Sequence, residues 1–220
     1  MPRKNSSIPK STELWHQFVQ VRLDIFLKAL DILYIKDDMK ENEDIISKAL
    51  YPKIVKTCFE HKDKPEPPAW DAKKGAVVDE EIVLESVVKR PDFTFALVDQ
   101  TAEKVEMYTI YLNIECKCIG NNRSSSWNLN MNYINNGINR FDCLTHEYGK
   151  RTKDGIMIGY IISSNKADIQ KEINSELPKN IEKLNFVSKD KVEKISTKFI
   201  RENVEPFDFK MHHIWVDFTK

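Results

Sequence analysis

The chain has 220 residues, with 34 Lys and Arg against 34 Asp and Glu, a formal charge of zero that by itself points to no polyanionic partner. With 41% hydrophobic and 31% charged residues it is no disordered chain, and its length lets one sizeable domain bury a core without disulfides. The six glycines are too scattered for a Walker loop or a dinucleotide fingerprint, and the four cysteines make no Cys-x-x-Cys pair or zinc-spaced cluster.

The first residues, Met-Pro-Arg-Lys-Asn-Ser-Ser, lead into polar sequence instead of an apolar signal core, and the longest apolar stretch, around Ile156 to Ile162, is too short to span a bilayer. A reducing cytoplasm is the expected location. Leu14, Phe18, Val21, Ile25, Ala29 and Ile32 recur at helical steps, predicting a first helix that Ser11 or Thr12 caps. A second helix begins near Glu41. Its Ile46 and Leu50 fall three and seven residues after Glu43 and bring that acid onto or beside the buried face, while Pro52 disturbs the following turn. From His61 to Trp70 the prolines 65, 67 and 68 predict a loop.

Strands are predicted over Ala76 to Val88, Asp92 to Val98 and Met107 to Ile119. Ile134, Gly137, Ile138, Phe141, Leu144 and Tyr148 set out a helical stripe ending at Gly149. Gly155 to Ile162 reads as a buried strand, Ser164 or Asn165 starts a helix running to about Leu177, and Met211 to Phe218 reads as a last strand. This order suggests an α/β fold, a mixed sheet flanked by helices.

The most informative text is Arg90-Pro91-Asp92-Phe93-Thr94-Phe95 with Asn113-Ile114-Glu115-Cys116-Lys117. Alternation puts Asp92 and Thr94 on one face of the first strand, and Asn113, Glu115 and Lys117 on one face of the second. If the two form a hairpin with Asp92 opposite Glu115, the turn centres between Glu103 and Lys104, inside a polar stretch where a connection is expected anyway. Two carboxylates and one ammonium then meet. Carboxylates at cross-strand distance repel unless a cation sits between them, and hard oxygen ligands suit Mg²⁺ better than zinc. Lys117, its pKa lowered by burial and a neighbouring cation, would hold or deprotonate the attacking water. This is equipment for metal-assisted phosphodiester hydrolysis. Cys116 and Cys118 face the other way and are expected in the core; His212 and His213 open an apolar strand and are expected to be structural.

The spelling Pro91-Asp92 … Glu115-x-Lys117 resembles the PD-(D/E)XK nuclease superfamily, to which many restriction endonucleases belong. An acid followed two residues later by Lys occurs five times in the chain, but of these Glu115 alone closes a long alternating strand with Pro-Asp one hairpin upstream. The resemblance implies a restriction-endonuclease-like fold, with residues 1–40 as an N-terminal helical extension and 41–220 as the nuclease domain, its core at about 41–177. It implies Mg²⁺, with Mn²⁺ able to substitute, bound by Asp92, Glu115 and the backbone carbonyl of Cys116, and Lys117 as catalytic lysine. Many members add a Glu from the first core helix; Glu43 is the candidate here, with Glu41 and Glu85 as alternatives. No Gln-x-x-x-Tyr signature of RecB-like exonucleases accompanies Tyr133 and Arg140.

Arg123, Ser124, Ser125, Ser126 and Asn128, directly after the motif strand, and Arg140 further on are candidates for contacts to DNA phosphates or base edges. The expected activity is Mg²⁺-dependent DNA endonuclease, in the simplest case a type II restriction enzyme acting as a homodimer; another DNA-processing nuclease or a non-catalytic DNA-binding domain is the alternative. The zero net charge is uneven. Twelve acidic and eight basic residues lie between His61 and Ile119, so the rest of the chain carries a modest basic excess.

Overall fold

The computed structural model describes residues 8–36, 40, 42–70, 90–100, 108–122, 124, 127–146 and 148–219. Six strands form one mixed sheet in the order β1-β2-β3-β4-β6-β5, with β1 at Ala69–Trp70, β2 at Phe93–Val98, β3 at Thr109–Ile119, β4 at Asp154–Ile161, β5 at Val192–Ile200 and β6 at Asp208–Asp217. β1, β2 and β3 are antiparallel neighbours, β3, β4 and β6 run parallel, and β5 pairs antiparallel with β6. The parallel centre reads as near-continuous apolar sequence because helices cover both of its faces. β4 is buried along its length after Asp154.

Alternation divides the core in two. Phe93, Phe95, Leu112, Ile114, Cys116, Cys118, Ile214 and Val216 face α1 (Ile8–Asp31) and α2 (Glu43–Glu60). Ile119, Met157, Ile161, Met211 and Trp215 face α3 (Leu129–Asn135), a 3-10 turn at Ile138–Asp142 and α4 (Lys166–Glu176). The result is an α/β/α sandwich, and the α/β class with a mixed sheet between helices is the expected one. Asn42 caps α2, its Oδ1 accepting the N–H groups of Asp44 and Ile45, which sets Glu43 in the first turn.

Several elements differ from their expected form. α1 presents a broader stripe, with Val19, Leu23, Phe26 and Leu30 buried beside Phe18, Ile25 and Ala29, while Leu14 and Ile32 are exposed at its ends. α2 continues through Pro52 to Glu60, since the burial of Ile46, Leu50, Ile54 and Cys58 outweighs one lost backbone bond. The stripe from Ile134 to Tyr148 is not one helix. α3 stops at Asn135, the 3-10 turn follows Gly137, and turns carry the chain to Arg151, with Gly149 at φ +69°. β5 had no clear expectation, and the strand predicted over Ala76 to Val88 lies outside the described residues.

A polar line ties α1 to the sheet. The Trp15 indole N–H donates to Asp154 Oδ2 at 2.7 Å, Asp154 Oδ1 meets His212 Nε2 at 2.9 Å, and His212 Nδ1 meets Ser196 Oγ at 2.8 Å. His213 is fully buried, with its ring nitrogens at 2.8 Å from Tyr133 Oη and 3.0 Å from Thr197 Oγ1, and burial pulls its pKa down to about 3. Among the described residues no helix is long and apolar enough to cross a membrane.

Candidate active site

β3 outruns β2. Their ladder ends with Phe93 opposite Ile114, but β3 continues to Ile119. Cys116 and Cys118 share the backbone phase of Ile114, so their N–H groups point toward the side where β2 has ended. Carboxylates take the place of the missing strand. Asp92 Oδ2 accepts the Cys116 N–H at 2.6 Å and Glu43 Oε2 accepts the Cys118 N–H at 3.0 Å. Continuing the register one residue beyond Phe93 sets Asp92 across from Glu115, the pairing expected from the sequence. Pro91 precedes Asp92 at the strand entry, where a missing backbone donor costs no ladder bond.

Glu115 is 1% exposed. Its Oε1 accepts the Lys117 ammonium at 2.9 Å and also pairs with the Arg140 guanidinium, while its Oε2 is buried with no hydrogen-bond partner. An orphaned buried acceptor costs about 1–3 kcal/mol. Lys117 also donates to Glu43 Oε1 at 2.8 Å and to the Cys116 carbonyl at 2.6 Å. Glu43, Glu115, Lys117 and Cys116 thus meet at one point from two elements, with Asp92 on the same backbone edge.

The electrostatics show a site short of positive charge. Burial and then the Asp92 carboxylate push the Glu115 pKa up to about 8, against the pull of Lys117 and Arg140. Asp92 is raised to about 6, chiefly by burial, with Glu43 adding to the rise and Lys117 opposing it. Lys117 corrects an expectation. Burial draws its pKa down, but Glu115, Glu43 and Asp92 together outweigh that and hold the ammonium above the ordinary lysine range. In this arrangement Lys117 holds its proton, the reverse of the lowered pKa expected from the sequence.

Sequence reasoning missed part of the surroundings. Asn113 shares the face of Glu115 and Lys117; its Oδ1 accepts the Gly149 N–H at 3.2 Å and its buried Nδ2 has no partner. Tyr148, fully buried, is pushed well up by burial and next by the Glu115 charge, and its hydroxyl interacts with Arg140. The phase of Asn113 with Glu115 was a usable signal. Nothing local marked Tyr148, which reaches the site through turns expected as helix.

Arg201 holds those turns in place. It is 1% exposed, and its guanidinium donates to the carbonyls of Phe141, Tyr148, Gly149 and Pro206. A Cβ on Gly149 would meet Phe209 Cε2 at 2.6 Å, on a residue whose positive φ already favours glycine. Asp142, closing the 3-10 turn, accepts the backbone N–H groups of Glu202, Asn203 and Val204.

The expected DNA contacts divide. Arg123, Ser125 and Ser126 lie outside the described residues, as do Glu41 and Glu85. Ser124 is exposed in a short bridge to Trp127. Asn128 is turned inward: its Oδ1 caps α3 at Met131 N–H, 2.8 Å, and its Nδ2 donates to Glu172 at 2.9 Å. Arg140 stands at the acidic centre itself, with its side chain 27% exposed. Cys116 and Cys118 face the α1/α2 core.

As the side chains stand, no group of three His, Cys, Asp or Glu among the described residues forms a ready-made metal cage. The Lys117 ammonium lies between Glu43 and Glu115. The donor chemistry nevertheless fits Mg²⁺: hard oxygens from Asp92, Glu115 and the Cys116 carbonyl, raised carboxylate pKa values, and the bare Glu115 Oε2. Comparison with protein-family models, curated proteins and solved structures finds no match for this chain.

Proposed function

We propose that this chain is a Mg²⁺-dependent DNA endonuclease with Asp92, Glu115 and Lys117 at its hydrolytic centre, and that its simplest role is type II restriction. The observation that carries the reading is Glu115, a buried carboxylate with one oxygen shared by two cations and the other bare. Asp92 and Glu115 would hold Mg²⁺, which when bound would supply charge to draw in a phosphodiester and ease attack on phosphorus.

The chain's own residues do the rest. Asp92 fixes the end of β3 through the Cys116 N–H and so aims that residue's carbonyl into the site. Glu43 steers the Lys117 ammonium, which meets the negative charge growing on the phosphoryl oxygens. In the hydrolysis a water oxygen bonds to phosphorus in line with the P–O3′ bond, which breaks. The water releases a proton to solvent and the 3′ oxygen takes one up, leaving the 5′-phosphate and 3′-hydroxyl that the family resemblance implies. Cutting both strands calls for a second copy of the chain. The basic excess outside residues 61–119 favours a polyanionic substrate.

The test is incubation of the purified protein with plasmid and phage DNA, with Mg²⁺ and with chelator. Discrete fragments with Mg²⁺ alone support restriction, and preference for branched DNA supports a resolvase instead. Absence of any cleavage, or equal cleavage by Glu115→Ala, overturns the catalytic reading.

A further inference from the structure

We infer that Arg140 is a second substrate-facing cation, which rests on Glu115 when the site is unloaded and transfers to a non-bridging phosphate oxygen when a divalent cation takes over that carboxylate. The inference rests on the hydrolytic reading above and assigns a further catalytic residue to it.

Four observations carry it. First, the sharing of Glu115 is lopsided. Arg140 and Lys117 both use Oε1 and leave Oε2 bare, whereas an arginine–carboxylate pair built for stability uses both oxygens in a fork. A cation arriving at Glu115 therefore displaces a place-holder. Second, the Arg140 side chain is 27% exposed where its partner Glu115 is 1% exposed, so the guanidinium spans the boundary between the buried acid and solvent, where a phosphate arrives. Third, the backbone carrying it is fixed. Ile138 and Phe141 on either side are buried, Arg201 binds the Phe141 carbonyl at 3.1 Å, and Asp142 caps the 202–204 loop. With the backbone fixed, the side chain, held by Glu115 and by the Tyr148 hydroxyl, is the part left to move. Fourth, Asn113 Nδ2 is a buried donor without a partner on the Glu115 face of β3, a second group able to meet an anionic oxygen.

The experiment compares wild type, Arg140→Gln and Arg140→Lys in three measurements: Mg²⁺ affinity without DNA by calorimetry, binding of a labelled DNA duplex in Ca²⁺ by anisotropy, and Mg²⁺-dependent cleavage. Removing the place-holder is expected to tighten Mg²⁺ binding about tenfold, because one positive charge leaves contact distance of the ligand. Cleavage by Arg140→Gln is expected to fall about a hundredfold, with Arg140→Lys recovering part of it. A merely structural arginine would leave Mg²⁺ binding unchanged or weaker in Arg140→Gln, and that result overturns the inference. Should Arg140→Gln fail to fold, Arg140→Lys carries the test: cleavage equal to wild type overturns it. If wild type itself neither binds Mg²⁺ nor cleaves, the hydrolytic reading fails and this inference with it; if wild type cleaves and Arg140→Gln cleaves equally, the Arg140 inference alone fails.

Discussion

Two buried glutamates, each paired with a lysine, are treated in opposite ways. Glu193 on β5 uses every acceptor: Oε2 takes the Lys166 ammonium at 2.9 Å, and Oε1 takes the N–H groups of Val187 and Ser188, each at 2.8 Å. Burial raises its pKa, but these hydrogen bonds overcome that and hold it below the ordinary carboxylate range. Glu115 has two cations and still ends with a bare oxygen and a pKa raised to about 8. The charges alone do not separate the two sites. What separates them is completeness: the satisfied acid braces a loop, and the incomplete one keeps an unused acceptor, on which the proposed metal site rests.

The sharpest way to break this contrast is to remove the lysines in turn. Lys117→Ala is expected to lower Mg²⁺-dependent cleavage about a thousandfold, while Lys166→Ala cleaves as wild type does; equal loss in both would erase the distinction. The contrast extends to His213, a buried base whose two nitrogens are both engaged. The unfolded chain protonates this histidine below pH 6.5, but the folded chain does so only near pH 3, so stability is present above 6.5 and declines as pH falls toward 3. By pH 4 the loss from this group is expected to reach about 3 kcal/mol. Urea unfolding of wild type and His213→Gln across pH 4 to 7 checks it, the variant showing the shallower pH slope.

Two smaller effects should differ in size. Glu193→Ala is expected to cost about 2 kcal/mol in denaturant unfolding, since it strands two backbone N–H groups and an ammonium. Glu115→Gln is expected to cost less, under about 1 kcal/mol, because a neutral isostere keeps an acceptor for Lys117 and removes a charge that burial already disfavours. A large destabilisation by Glu115→Gln would mark Glu115 as a structural brace.

How much of this was legible in the sequence follows from the distance over which each feature is decided. The Asp92–Glu115 register was readable because strand alternation and one polar connection settle it locally. The position of Glu43 was readable from its helical phase with Ile46 and Leu50. The charge state of Lys117 was not, because it is the balance of burial against Glu115, Glu43 and Asp92 together, which only the packing of three elements decides. Arg140 and Tyr148 were misread in context: their apolar neighbours fit a helical period, but Arg201 and Asp142 hold the segment in turns from the far end of the chain. β5 was unreadable because, as an edge strand, it mixes buried Glu193 and Thr197 with exposed Ser196 neighbours such as Lys198, which gives no clean apolar alternation.

The most direct test of the central claim is plasmid cleavage with Mg²⁺ by Glu115→Gln and Glu193→Gln side by side, each first shown to be folded. The account predicts that Glu193→Gln cuts at the wild-type rate and that Glu115→Gln cuts at least about a thousandfold more slowly. Cleavage by Glu115→Gln at the wild-type rate would contradict it.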